Sequence, residues 1–295
     1  MRTRRSTSLG LCFFLALCTW GAAGPACAEN ITYTFDGLTN GALDNQDNWG
    51  QYGSYTNYFS VQAGTDTGIN TSKVAISKAT KTDFTVRPND ANFSFPAHSG
   101  SNTTAAMQFD IKASLDAKAS TYFGLAFDAD TTSGINTAKE RAPAFGILNG
   151  EFGIQFLGDM VSAQYFGTPS SWGVTDGDWL RMQMVIDFTA NDENGAARVF
   201  YQNLTDDDPG FTQLTTSAVN LHLITNYATN STYQDMQDPA NWDTMILARG
   251  NNVAMQVDNL VSNAAPSAIP EPSSILLLSL GTLLPMLFRR RRAAG

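Results

Sequence analysis

The chain has 295 residues, 43% of them hydrophobic, and a formal net charge of −9, enough length to bury one large core or two small ones. Charge is unevenly spread: residues 29–272 hold 11 Lys and Arg against all 27 Asp and Glu, a net −16, which repels polyphosphate and argues against nucleic acid as a partner. The cysteines Cys12, Cys18 and Cys27 all precede residue 29, so the rest of the chain has no thiol for a disulfide or for nucleophilic catalysis.

At the amino terminus Arg2, Arg4 and Arg5 precede an apolar run from Leu9 to Trp20, and Ala26-Cys27-Ala28 offers small residues for cleavage. Residues 1–28 therefore read as a secretory signal peptide, and the alternative, an uncleaved anchor, needs a longer apolar stretch.

From residue 29 to 262 the dominant pattern has a period of two, the mark of antiparallel strands. Strands are expected at ITYTFD (31–36), AAMQFDI (105–111), YFGLAFDA (122–129) and VAMQVDNLV (253–261). In LRMQMVIDFT, Leu180, Met182, Met184, Ile186 and Phe188 share one face, while Arg181, Gln183 and Asp187 share the other. This strand pairs in expectation with RVFYQNLT through a tight turn at Asn194-Gly195. A second hairpin is expected around Asn149-Gly150, and short helical turns near DMQDPANWD (235–243). No repeat of 20 to 50 residues argues for a solenoid or propeller. One all-β domain, 29–262, is the expected organisation.

Catalytic motifs are scarce. His98 and His222 are the only histidines, which rules out a multi-histidine zinc site, and neither a G-x-S-x-G elbow nor a P-loop is present. DADTTSGINTAKE, from Asp128, fails as an EF-hand because Gly134 and Lys139 stand at positions 7 and 12 of the loop. The run Asp206, Asp207, Asp208 before Pro209-Gly210 reads as a hairpin loop. For sugar binding, aromatic faces flanked by polar side chains are needed. NWGQYGSYTNYF (48–59) has that composition. Tyr52, Tyr55 and Trp172 are the candidate platforms, with core packing the alternative reading, particularly for Trp49.

Residues 263–272 form a Pro-rich linker, and 273–295 a hydrophobic helix with a basic tail. The sixteen residues Ser273–Phe288 carry no charge but contain Pro285. As a helix they would rise roughly 24 Å, short of the ~30 Å hydrocarbon layer. Arg289, Arg290, Arg291 and Arg292 follow, a cluster that stays cytoplasmic and leaves the preceding domain outside the inner membrane. Pro270-Glu271-Pro272, the apolar segment and the arginine cluster together resemble the PEP-CTERM sorting signal. The resemblance implies export in a Gram-negative bacterium, transient residence in the inner membrane, cleavage by an exosortase near Pro270-Glu271-Pro272, and association with extracellular polysaccharide. Glu271 would then be recognised by the enzyme. A plain stop-transfer helix is the alternative.

A second resemblance rests on FDGLTNGALDNQDNWG (35–50), GDWLRMQMVIDF (177–188) and MQVDNLVS (255–262). Together they look like the concanavalin A-like jelly roll, an antiparallel β-sandwich that binds or cleaves carbohydrate in many of its members. The resemblance implies that the first and last strands are neighbours and that a structural calcium could sit between Asp36 and Asp258. The laminarinase-like enzymes of that fold use an E-x-D-x-x-E strand, which this chain lacks. Glu29, Glu140, Glu151 and Glu193 have no partner glutamate at that spacing. The expected function is a non-catalytic exported matrix protein associated with exopolysaccharide. The alternatives are a glycan hydrolase and a structural matrix protein without a sugar site.

Overall fold

The computed structural model describes residues 31–47, 49–51, 59–64, 69–70, 72–77, 83–88, 104–126, 141–155, 163–192, 194–221, 244–250 and 253–262. The amino-terminal segment 1–28, the sorting region 263–295, Tyr52, Tyr55, both histidines and the 235–243 stretch lie outside the described residues. Among the described residues no helix is long and apolar enough to cross a membrane.

Seventeen strands are described: β1 (Ile31–Tyr33), β2 (Gly41–Ala42), β3 (Gly50–Gln51), β4 (Phe59–Ala63), β5 (Lys73–Ser77), β6 (Asp83–Pro88), β7 (Thr104–Lys112), β8 (Ser120–Ala126), β9 (Arg141–Leu148), β10 (Glu151–Gln155), β11 (Gln164–Tyr165), β12 (Trp179–Asp187), β13 (Ala196–Asn203), β14 (Thr212–Gln213), β15 (Val219–Asn220), β16 (Thr244–Gly250) and β17 (Gln256–Ser262). A single 3-10 turn, Pro169–Trp172, separates β11 from β12.

The strands form two antiparallel sheets. One runs β14-β13-β12-β7-β17-β5-β4-β2, with β1 on β17 and β15 on β13; the other runs β11-β10-β9-β8-β16-β6-β3. In the first sheet β17 lies between β5 and β7, and in the second β16 lies between β6 and β8. The consecutive pairs β5–β6, β7–β8 and β16–β17 thus each cross from one sheet to the other, and the last pair is inserted between the other two. That wrapping is the jelly roll expected from the sequence.

Burial follows the period-two pattern. Leu180, Met182, Met184, Ile186 and Phe188 are all buried, in one cluster with Phe109 of β7 and with Phe123, Phe145 and Phe152 of the facing sheet. Phe109 lies 5.3 Å from Phe145 and 5.7 Å from Phe123 between ring centroids, and Phe152 stacks on Tyr201 at 5.4 Å. Aromatic rings from both sheets therefore fill the interlayer, each burying a large apolar surface. Trp49 is part of this core: it is buried and packs edge-on to Tyr33 at 5.6 Å. Its indole N–H donates to the Tyr33 hydroxyl at 2.9 Å.

The two expected hairpins differ in their turns. Leu148 pairs directly with Glu151, so Asn149-Gly150 is a two-residue turn with φ of 50° and 78°, the left-handed pair that a type I′ turn demands. On the other hairpin Asp187 pairs with Ala196. Eight residues therefore connect those strands, and the tight turn expected at Asn194-Gly195 is instead the end of a longer loop. Its reversal uses Asn191, Asp192 and Gly195, all at positive φ.

Candidate functional site

Among the described residues, three places gather polar side chains without belonging to the interlayer core. The first is on the outer face of the larger sheet. Alternation along β12 and β7 turns Leu180, Met182 and Phe109 inward, so Arg181 and Asp110 point away from the second sheet. Arg181 is paired with Asp110, and Asp110 with Asp258, in register across β12, β7 and β17. Arg181 grips Asp110 with two donors, Nε to Oδ1 at 2.8 Å and Nη2 to Oδ2 at 3.0 Å. Asn259 adds a third bond, Nδ2 to Asp110 Oδ2 at 2.8 Å, and also donates to Asn70 Oδ1 at 2.7 Å.

Asn259 reaches Asp110 because β17 carries one extra residue there. Between Asp258 and Val261 the strand advances three positions while β7 advances two, and Asn259 sits at φ 48°. Such a bulge re-aims one side chain without ending the pairing.

Asp258 is 1% exposed. Its carboxylate accepts the Asn259 backbone N–H at 2.8 Å and that of Phe35. Burial, reinforced by the nearby charges of Asp110 and Asp36, pushes its pKa up to about 7. Asp36 behaves oppositely: it is exposed, and the backbone N–H of Lys73, donated at 3.0 Å, holds it below the ordinary carboxylate value. The structure thus brings Asp36 and Asp258 into electrostatic contact where the first and last strands meet. Among the described residues no group of three His, Cys, Asp or Glu is arranged to hold a metal ion.

The second place is a groove of about 500 Å³ at the side of the sandwich, where the edges of both sheets end. Gln164, Tyr165 and Phe166 line it from the β11 edge, Trp172 from the 3-10 turn, and Leu214 to Asn220 from the β14–β15 edge. Trp172 is half-buried: its indole N–H donates to the Phe166 carbonyl at 2.8 Å, and its own carbonyl accepts the Tyr201 hydroxyl at 2.8 Å. Tyr165 is 45% exposed, with its hydroxyl accepting Asn149 Nδ2 at 3.2 Å. The sequence pattern does not single out Tyr165, because a two-residue strand has no periodicity to reveal it.

The acidic run 206–208 is a loop organised by Asn203. The Asn203 amide donates to Asp178 at 2.9 Å and to Asp206 at 2.8 Å, and its backbone N–H donates to Asp208 at 3.1 Å. These carboxylates fix the turn after β13.

Against known proteins, residues 268–292 match the family model described as the PEP-CTERM protein-sorting motif. The chain therefore combines an antiparallel two-sheet sandwich with the terminal motif of exported, exosortase-sorted proteins. No curated protein matches it. Among solved structures, the binding domain of Paraclostridial Mosquitocidal Protein 1 is 10% identical with a TM-score of 0.40, over 76% of this chain and 46% of that one. The binding domain of botulinum neurotoxin serotype D/C is 10% identical with a TM-score of 0.42, over 75% of this chain and 46% of that one. The marine PL-14 alginate lyase from Aplysia kurodai is 9% identical with a TM-score of 0.40, over 70% of this chain and 86% of that one. The chain thus spans less than half the length of the two toxin structures. Likenesses of this size say nothing about activity.

Proposed function

We propose that this is a non-catalytic matrix protein: exported, cleaved by an exosortase near Pro270-Glu271-Pro272, and then associated with extracellular polysaccharide through its sandwich domain, residues 29–262. The observation that carries this reading is the sorting-motif match at residues 268–292. Two prolines disfavour both helix and strand, which suits a peptide that a membrane peptidase must read, and Glu271 between them is the recognition residue. The apolar segment behind them is short enough to serve as a temporary handle, with Arg289–Arg292 holding its end in the cytoplasm.

A hydrolytic role is disfavoured by the burial and pairing of the two acids in register across β7 and β17. Asp110 and Asp258 oppose each other across β7 and β17, yet they are 0% and 1% exposed, and Asp110 is already engaged by Arg181 and Asn259. A glycosidic oxygen could not reach them. Glu151, at the tip of the β9–β10 hairpin, faces Leu148 and has no acidic partner across the turn.

Calcium between Asp36 and Asp258 enters the proposal as a structural ion only. A divalent cation there would offset the repulsion between Asp36 and Asp258 and would take the rest of its oxygen shell from backbone carbonyls and water.

The test is co-sedimentation of the full-length chain, solubilised in mild detergent, with exopolysaccharide purified from the producing cells, followed by an assay for new reducing ends. Binding without new ends is expected. Absence of binding would overturn the polysaccharide association, and steady release of reducing ends would establish the hydrolase alternative.

A further inference from the structure

We infer that the groove between the β11 edge and the β14–β15 edge is a binding site for a short segment of uncharged glycan, and that it discriminates against polyuronates and other anionic polymers. The inference rests on the polysaccharide reading above and adds to it a place on the molecule and a ligand class.

Charge sets the groove apart from the rest of the surface. Among the described residues that line the groove none is Asp, Glu, Lys or Arg, although residues 29–272 carry a net −16. A carboxylated or sulfated polymer brought to this surface would meet the field of the whole domain with no cation among those residues to compensate it. A neutral sugar suffers no such penalty.

Lining and ligand also match chemically. A pyranose presents C–H faces that pack on aromatic rings, and hydroxyls that exchange hydrogen bonds with amide and hydroxyl side chains. The groove supplies both kinds: the rings of Tyr165 and Trp172, the amides of Gln164 and Asn220, and the hydroxyls of Thr216 and Ser217. Gln164, Thr216 and Ser217 are exposed. The volume, about 500 Å³, falls within the range of small-ligand sites, about 300–1,000 Å³, and suits an oligosaccharide segment of a few residues.

Both aromatic side chains are held in place. An exposed tyrosine is ordinarily free to rotate, but Asn149 holds the Tyr165 hydroxyl at 3.2 Å. Asn149 is itself fixed in the two-residue turn of the β9–β10 hairpin. Trp172 is anchored at its indole nitrogen and its carbonyl, and packs edge-on to the core residue Tyr201 at 6.1 Å. Aromatic faces held before the ligand arrives lose little entropy on binding.

The experiment uses the full chain in detergent against a panel of polysaccharides: cellulose oligosaccharides, dextran and galactomannan as neutral probes, alginate and polygalacturonate as anionic ones. Tyr165→Ala is the principal variant, since its partly exposed ring can be removed with little disturbance of the core. Trp172→Phe, which keeps an aromatic face, is the second. The wild type is expected to bind at least one neutral probe, and Tyr165→Ala to weaken that binding about tenfold or more, the loss typical of a truncated aromatic anchor. Unchanged melting temperature in Tyr165→Ala would show that the loss is local. Wild-type binding that survives Tyr165→Ala and Trp172→Phe undiminished would overturn the groove and leave the polysaccharide reading standing. Preference for alginate or polygalacturonate would overturn the neutral class. Binding to no probe, with no binding to the native exopolysaccharide, would remove both readings together.

Discussion

Asp110 and Asp258 face one another across β7 and β17, and only Asp110 is held by an arginine. Asp258 is left to face two other carboxylates from a buried position, and its pKa rises from the ordinary 3.8 to about 7. Because the folded value is the higher one, folding favours the protonated form. This contribution is intact below pH 3.8 and is lost as pH rises toward 7. Across that window Asp258 should cost the domain roughly 4 kcal/mol. Asp258→Asn, which keeps the oxygen that accepts the Asn259 N–H, should flatten this part of the curve. Urea unfolding from pH 4 to 8 in the presence of a chelator measures it, and parallel curves for wild type and variant would count against the charge cluster.

Arg181 has the complementary role. Its loss would leave the Asp110 carboxyl fully buried and short of two donors. Arg181→Leu should therefore destabilise the domain by about 3 kcal/mol at pH 7. Adding Asp110→Asn should recover a large part of that loss. A double-mutant cycle in urea gives the coupling directly, and additive effects would show that the pair is not coupled.

Gly150 tests the hairpin that positions Asn149 and, through it, Tyr165. It sits at φ 78°, and a Cβ there would lie 2.7 Å from Ala117 Cα and 2.9 Å from the Asp116 carbonyl oxygen. Neither backbone atom can give way cheaply, so Gly150→Ala should cost more than about 1 kcal/mol. A melting temperature equal to wild type would contradict the turn geometry.

Calcium is tested by melting the protein in millimolar calcium and in chelator. A higher melting temperature with calcium is expected, by the linkage of binding to folding. Identical curves would remove the ion from the Asp36–Asp258 corner.

Much of this architecture can be read from the residues. The alternation from Leu180 to Phe188 names a core face because a strand has a strict period of two, and all five residues are buried. Asn149-Gly150 specifies its turn because few other pairs tolerate two left-handed residues. Asn194-Gly195 misleads because the same dipeptide can also close a longer loop when other residues, here Asn191 and Asp192, take positive φ first. Gln183 belongs to the polar face of β12 yet is buried, beside Gln108, since alternation assigns a face without telling what covers it. The bulge at Asn259 and the groove at Tyr165 escape sequence reading for one reason. Both depend on strands distant in the chain being brought to a particular register.

The sorting motif carries the function, and the mass of the mature protein isolated from its own cells tests it most directly. Cleavage near Pro270-Glu271-Pro272 predicts a polypeptide that lacks Arg289–Arg292, and removal of the signal peptide one that begins near Glu29. An intact carboxyl terminus on protein lodged in the inner membrane would contradict export and release, and with them the polysaccharide role.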